Sequence, residues 1–421
     1  MPKMIDPSPL ERPVEKGDDA AAVESFLTMR ERGIPLDQLY LTCAHIGARR
    51  YDFETPAPNL PHGMMAINAA WGLGLHLKGR EELTAFGLAQ GFALLAAENR
   101  AFERARTVSR RPVRGIAIPD LANLVIEKVE KGDIAEADGA LAQLIESTTD
   151  RALVAKAFFV SGAQDLQNGG HKGVFAGHLW QLAQRDNFSE LFTFLRPGIH
   201  YFAAFGSRDE KRQIERHSAD LDVRIVEPGR RQEDGKAVEA LAERILAGGS
   251  TRAIIEALQA GFGMEDVIDA VLLAACEDIR HSTNKPSAIE TLTYAHSART
   301  AARAAGNMAI LPLLQAGVWA HDCASTKTLM PLGSQPHVDA STAAAWALVE
   351  DFAPSQGHVA KLTEAILAER AEAPPWMGER LTSALLYAGT LSQSRRAMLE
   401  RYQDRLKIDP QLRTAQLVAP A

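Results

Sequence analysis

The sequence predicts an all-α fold built as a helical repeat, and three observations carry that expectation. Ala and Leu dominate a chain in which 46% of the residues are hydrophobic and only 6% aromatic. That mixture favours helix, because these residues lose little side-chain freedom there and β-branched strand formers are sparse. Apolar residues recur at helical spacing, as at Val267, Val271, Ala274 and Ala275. A single pattern also returns four times, a His or Glu opening a helix after a loop rich in Pro, Gly and Asn. It occurs at His62–Trp71, His171–Trp180, Glu290–Arg299 and His337–Trp346, and three of the four set Trp nine residues after His.

Residues 1–20 are polar and Pro-rich and read as a flexible N-terminal arm. From residue 21 onward one helix-helix-loop-helix unit recurs. The first copy runs through 22–33 and 35–50, then the loop ETPAPNL and the His62 helix. The second uses 135–148, 150–165 and DLQNGG before the His171 helix, and the third 251–263, 264–280 and STNKPSAI before the Glu290 segment. A shortened fourth copy spans 311–325 and TLMPLGSQP before the His337 helix. Residues 81–100 form a strongly apolar helix between the first two copies. Residues 197–235 interrupt the pattern with Gly, Pro and dense charge, and DVRIVEP within them is the only segment suited to a short strand. The expectation is a single helical domain over 21–421, with pseudo-related halves 21–196 and 236–421 packed as one body. Stacked units of this kind bury apolar faces that no unit can bury alone.

Composition excludes several function classes. The net charge of −7 offers no global basic field for nucleic acid. The pairs Arg49-Arg50, Arg110-Arg111 and Arg230-Arg231 are scattered without interleaved aromatics and read as a solvated rim. Three cysteines without C-x-x-C spacing make no disulfide framework and read as small buried thiols. No signal-peptide core and no run of about 18 apolar residues occurs, so the expectation is a cytoplasmic protein without a membrane segment. GLGLHLKG at 72–79 lacks the spacing of a Rossmann turn, GGSTRA at 248–253 lacks a Walker lysine, and H-E-x-x-H and G-x-S-x-G are absent. No Rossmann-type nucleotide site is expected.

The recurring ionisable position is the chemical signal. Each copy places a ligand-capable side chain at a helix start, where free N–H groups and the dipole meet solvent or a cavity. If the copies curve around a centre, these side chains converge. His62, His171, Glu290, His296 and His337 are the candidate catalytic residues. His62, His171, His178, Glu277, His281 and His337 are the candidate metal ligands. His171 and His178 are seven residues apart and share a helix face, as do Glu277 and His281, four apart. Imidazole with carboxylate suits Fe or another transition metal, or haem with an axial His. Trp71, Trp180 and Trp346 would wall the pocket.

At residues 44–71 and 261–301 the chain resembles a family of helical bacterial proteins that includes the all-α region following Rieske-type [2Fe-2S] domains. There the second segment carries a His-x-x-x-Tyr-Ala run; here Glu290 replaces the His, followed by Tyr294-Ala295-His296. A fainter likeness, in helical layout and in Pro61-His62, is to the questin oxidase-like proteins, Baeyer–Villiger-type oxygenating enzymes. The resemblance implies redox chemistry on an organic substrate, with a redox partner protein, and no Rieske domain is present in this chain. The expected function is an oxygenase-like oxidoreductase acting on a small organic molecule in a His/Glu-lined pocket. The competing expectation is a non-catalytic helical-repeat scaffold for protein interactions, in which the histidines would be dispersed.

Overall fold

In the computed structural model every regular element among the described residues is a helix. The structure describes residues 5–50, 61–101, 115–204, 221–232, 234–281, 285–333, 337–390 and 396–413, with single positions at 111, 113, 214 and 219. Loop ETPAPNL and Arg110 lie outside the described residues, as do the first residues of STNKPSAI and the last of TLMPLGSQP. The first half contains α1 (Ser8–Lys16), α2 (Asp19–Glu31), α3 (Leu36–Arg50), α4 (His62–Gly74) and α5 (Glu81–Ala101). It continues with α6 (Ile118–Glu130), α7 (Ile134–Ser147), α8 (Arg151–Gly162), α9 (His171–Arg185) and α10 (Leu191–Ala204). The second half holds α11 (Lys236–Ala247), α12 (Ser250–Gln259), α13 (Met264–His281), α14 (Lys285–Ala305) and α15 (Ile310–Asp322). After these come α16 (Ala340–Leu348), the short α17 (Phe352–Ser355), α18 (His358–Glu372), α19 (Pro375–Thr390) and α20 (Ala397–Leu406). Among the described residues no helix is long and apolar enough to cross a membrane.

Local chemistry starts many of these helices. Asp18, Asp133, Asp150 and Asp339 each accept a backbone N–H in the first turn of α2, α7, α8 and α16, satisfying donors that the helix itself leaves unpaired. The expected flexible arm is instead the helix α1 for most of its length. Leu10, Pro13 and Val14, at helical spacing, make a buried stripe against α2 and α5, so apolar burial outweighs the Pro-rich composition. DVRIVEP is not a strand either. It holds a 3-10 turn, Val223–Ile225, and one isolated bridge from Glu227 to Gly263, and among the described residues no strand lies beside it to pair with.

Four helices form an inner ring. Each packs on the next, α4 on α9, α9 on α14, α14 on α18 and α18 back on α4. They run parallel. His62 meets His171 and, six residues on, Asn68 meets Gln181; Glu290 meets His358 and, farther along both helices, His296 meets Glu369. The remaining helices carry the chain back between ring members and pack outside, as α5 does on α4, α10 on α9 and α13 on α14. The N-terminal ends of all four ring helices therefore point the same way, and their positive dipole ends gather in one place.

Candidate metal centre

His62 is the first residue of α4. Its helix lies so close to α5 that a Cβ at Gly63 would stand 2.5 Å from the backbone of Leu95. Glu98 on α5 accepts the Gly63 N–H at 3.0–3.1 Å, and its Oε1 is 3.7 Å from His62 Nδ1. The carboxylate thus stands behind the ring, and Nε2 is turned inward, the orientation that second-layer carboxylates give to metal-binding histidines. His171 opens α9 after Gly169 and Gly170, both in the left-handed region. A Cβ at Gly170 would lie 2.8 Å from Tyr294, so only Gly fits this entry into the helix. His358 opens α18 after the left-handed Gly357, and the Ser355 backbone hydrogen-bonds its ring.

The three rings meet edge to face, with centroids 5.0–5.8 Å apart. His62 Nε2 and His171 Nε2 are 3.3 Å apart. Glu290 Oε1 from α14 stands 3.4 Å from His171 Nε2 and 2.9 Å from His358 Nε2. Among the described residues, His62, His171 and His358 are the one group of three or more metal-ligating side chains whose ligand atoms gather within 4.8 Å. Metal–ligand bonds of about 2.0–2.1 Å set neighbouring ligand atoms about 2.9–3.4 Å apart, the spacing of His62 to His171 and of Glu290 to His171 and His358.

The charge balance is also suited to an ion. Burial, with the Lys361 ammonium, pushes the imidazole of His62 well below its ordinary pKa and that of His358 below it. Burial alone would raise the carboxyl of Glu290, but His171, Lys361 and His358 outweigh it and keep it ionised. The lowered pKa values of His62 and His358 and the anionic carboxylate of Glu290 favour the protonation states that a metal requires of its ligands. Lys361 is completely buried one turn after His358, its Nζ 3.9 Å from Glu290 Oε1, and burial lowers its pKa. Beyond the 2.9 Å contact between Glu290 Oε1 and His358 Nε2, these two atoms and Lys361 Nζ have no hydrogen-bond partner among the described residues. A buried polar atom left so costs about 1–3 kcal/mol, which a shared ion would relieve.

Below the centre the ring interior carries a second polar layer. Asn68, His178, Gln181 and His296 are linked by hydrogen bonds of 2.7–3.1 Å, and Glu369 accepts from His296 Nδ1 at 2.7 Å. His178 and His296 belong to this layer and not to the group of three.

The other expected positions lie elsewhere. His337 is exposed and opens no helix; α16 begins at Ala340 with Asp339 as its cap, because an aspartate there satisfies the first N–H groups better than imidazole can. Glu277 is fully buried but spent on Arg280 and Arg380, at 2.7 and 2.9 Å, and on the Met330 N–H. It ties α13, α19 and the segment after α15 together, with His281 3.4 Å from it. Glu290 does not open its helix, which starts five residues earlier at Lys285. The tryptophans do not wall the centre. Nine residues are about two and a half turns, which turns Trp to the far side of the helix from His. Trp71 stacks on Tyr40 at 4.7 Å, Trp180 packs on Phe159 and Phe188, and Trp346 is buried in the core.

Sequence reasoning missed His358 and Lys361. The signal was present, since Pro354-Ser355-Gln356-Gly357 precedes His358 as a Pro/Gly loop precedes His62. Following Trp at the ninth position led to His337 instead. Comparison with known proteins finds no family model that matches the chain, no curated protein that matches and no solved structure that matches.

Proposed function

We propose that the chain is a metal-dependent, oxygenase-like oxidoreductase acting on a small organic substrate, with the ion held by His62, His171, His358 and Glu290. The observation that carries this reading is the gathering of three histidine ligand atoms within 4.8 Å of one another, with a Glu290 carboxylate oxygen 2.9–3.4 Å from two of these rings, from four parallel helices. A scaffold has no reason to gather four such groups against one another, with Glu290 Oε1 and His358 Nε2 left without a partner beyond each other. Nitrogen and oxygen donors of this kind suit iron, manganese or zinc. Iron would supply the dioxygen chemistry, and three imidazoles with one carboxylate would leave coordination positions open for it. The ligand atoms surround one point from four helices, which favours a bare ion over a haem.

The test is elemental analysis of the purified protein, followed by titration of metal-free protein with Co(II) and its visible spectrum. One ion per chain is expected, with binding lost in His62→Ala and in His171→Ala. Metal-free protein that shows no Co(II) spectrum and keeps the same stability with or without the ion would overturn the reading. Dioxygen uptake by the Fe(II)-loaded protein with a reductant then separates an oxygenase from a hydrolytic metal site.

A further inference from the structure

The three tryptophans of the recurring pattern turn away from the centre, but Trp319 does not. It stands near the end of α15, and its indole lies against the turn that enters α9. Beyond its own chain neighbours, a Cβ placed on Gly169 would find three groups at ordinary contact distance. They are His171 Nδ1 at 3.7 Å, Trp319 Cζ2 at 3.8 Å and Glu290 Cγ at 3.9 Å. One point the size of a methyl group therefore touches the indole and two of the proposed ligands. Gly169 and Trp319 are both partly exposed, whereas His171 and Glu290 behind them are buried. On this side a glycine and an indole stand between the ligands and solvent.

Tyr294 is the other aromatic ring here. A Cβ at Gly170 would lie 2.8 Å from Tyr294 Cδ2 and 3.6 Å from Trp319 Nε1. The two rings differ in how they can give up an electron. A phenol that loses one must also shed its O–H proton. The Tyr294 hydroxyl is buried and has no hydrogen-bond partner among the described residues. Asp165, the carboxylate that acts on it, is held by Lys172 at 2.6 Å. An indole can instead lose an electron and keep its N–H proton, as a radical cation. That suits Trp319, whose buried Nε1 has no hydrogen-bond partner among the described residues to take the proton, although a buried indole N–H usually has one. The ionised Glu290 nearby favours the positive charge.

We infer that Trp319 is the electron-donating residue of this centre, and the place where the chain is oxidised when the centre meets dioxygen without a substrate. The inference rests on the metal reading with iron as the ion, which supplies the dioxygen chemistry. An oxidised centre that finds no substrate takes its electron from a neighbouring group able to release one, and Trp319 spares the ligands by giving it. The net reaction is addition of one dioxygen molecule to the indole. The C2–C3 bond of the ring breaks, each of the two carbons becomes a carbonyl carbon, and the product is N-formylkynurenine. The indole is oxidised by four electrons and dioxygen is reduced by the same four, so no further reductant, proton or leaving group is required.

The test exposes Fe(II)-loaded, full-length protein to dioxygen without substrate or added reductant, and maps oxidised residues by peptide mass spectrometry. Trp71 and Trp376 are internal controls, because both are partly exposed as Trp319 is. Trp71 lies on the far side of α4 from His62, and Trp376 packs against Gly235. Two oxygen atoms should be added to Trp319 several-fold more often than to either control, both drawn from isotopically heavy dioxygen. In His171→Ala, which would not hold the ion, Trp319 should be spared. In Trp319→Phe the oxidation should move to His171, and after iron removal that protein should bind less Co(II) than wild type treated alike. Equal modification of the three tryptophans, or an unmodified Trp319 in iron-loaded protein, overturns the inference. Helical circular dichroism identifies a variant that has failed to fold, and the wild-type map decides the site without any variant. Failure of the metal reading shows itself earlier, as metal-free protein with no Co(II) spectrum before dioxygen is admitted, and the inference falls with it.

Discussion

His62, His178 and His358 are kept neutral in the folded chain chiefly by burial. Unfolding returns each ring to water, where His ionises near pH 6.5. The folded pKa lies below the unfolded one, so the unfolded chain binds more protons under mildly acidic conditions. Their contribution to stability is therefore present above about pH 6.5 and is lost as pH falls below it. The urea midpoint of metal-free protein should fall steadily from pH 7 to pH 5, and a flat profile would contradict the buried neutral state. His337 makes the opposite case. It is exposed, so His337→Ala should change stability by no more than about 0.5 kcal/mol and leave Co(II) binding intact, as equilibrium unfolding and titration would show. At this scale composition was a poor guide. A histidine after a Pro/Gly loop looks the same in sequence whether it is buried at a centre or left in solvent, and only its neighbours from distant segments separate His358 from His337.

Close approach of helices sets the ligand distances. A Cβ at Gly63 would stand 2.5 Å from the Leu95 backbone, and one at Gly173 would stand 2.3 Å from the Tyr294 ring. The first would push α5 from α4 and shift His62; the second would widen the α9–α14 spacing that sets His171 against Glu290. Gly63→Ala should lose about 1–3 kcal/mol by urea unfolding and weaken Co(II) binding. Gly378 in α19 is the control, with nothing within 4 Å of its Cβ position. Gly378→Ala should be neutral or stabilising by up to about 1 kcal/mol. Helix existence was readable from the sequence at most positions, because capping aspartates and apolar periodicity act locally. The helical nature of α1 was hidden behind its prolines, although Leu10, Pro13 and Val14 carried the stripe. The misreading of Trp71, Trp180 and Trp346 came from treating a recurring residue as a partner of His when helical phase sets it on the opposite face.

For the molecule as a whole, a bound ion would join four helices whose sequence positions run from residue 62 to residue 358. A ligand that binds only the folded chain stabilises it by about 2.7 kcal/mol at a hundred times its Kd. Saturating Zn(II) should therefore raise the thermal midpoint of wild-type protein and leave that of His171→Ala where it was; scanning calorimetry of the two checks this. An equal rise in both would place the ion elsewhere.

The helical class, the starts of α4 and α9 and the recurrence of ionisable groups behind Pro/Gly loops were written in the chain itself, because capping, turn chemistry and helical periodicity act over a few residues. The meeting of His62, His171, Glu290 and His358, and the partners that leave Glu277 and His337 outside it, were decided only by tertiary structure. Which helix starts share one end of a parallel ring depends on how distant apolar faces pack, and no local pattern encodes that.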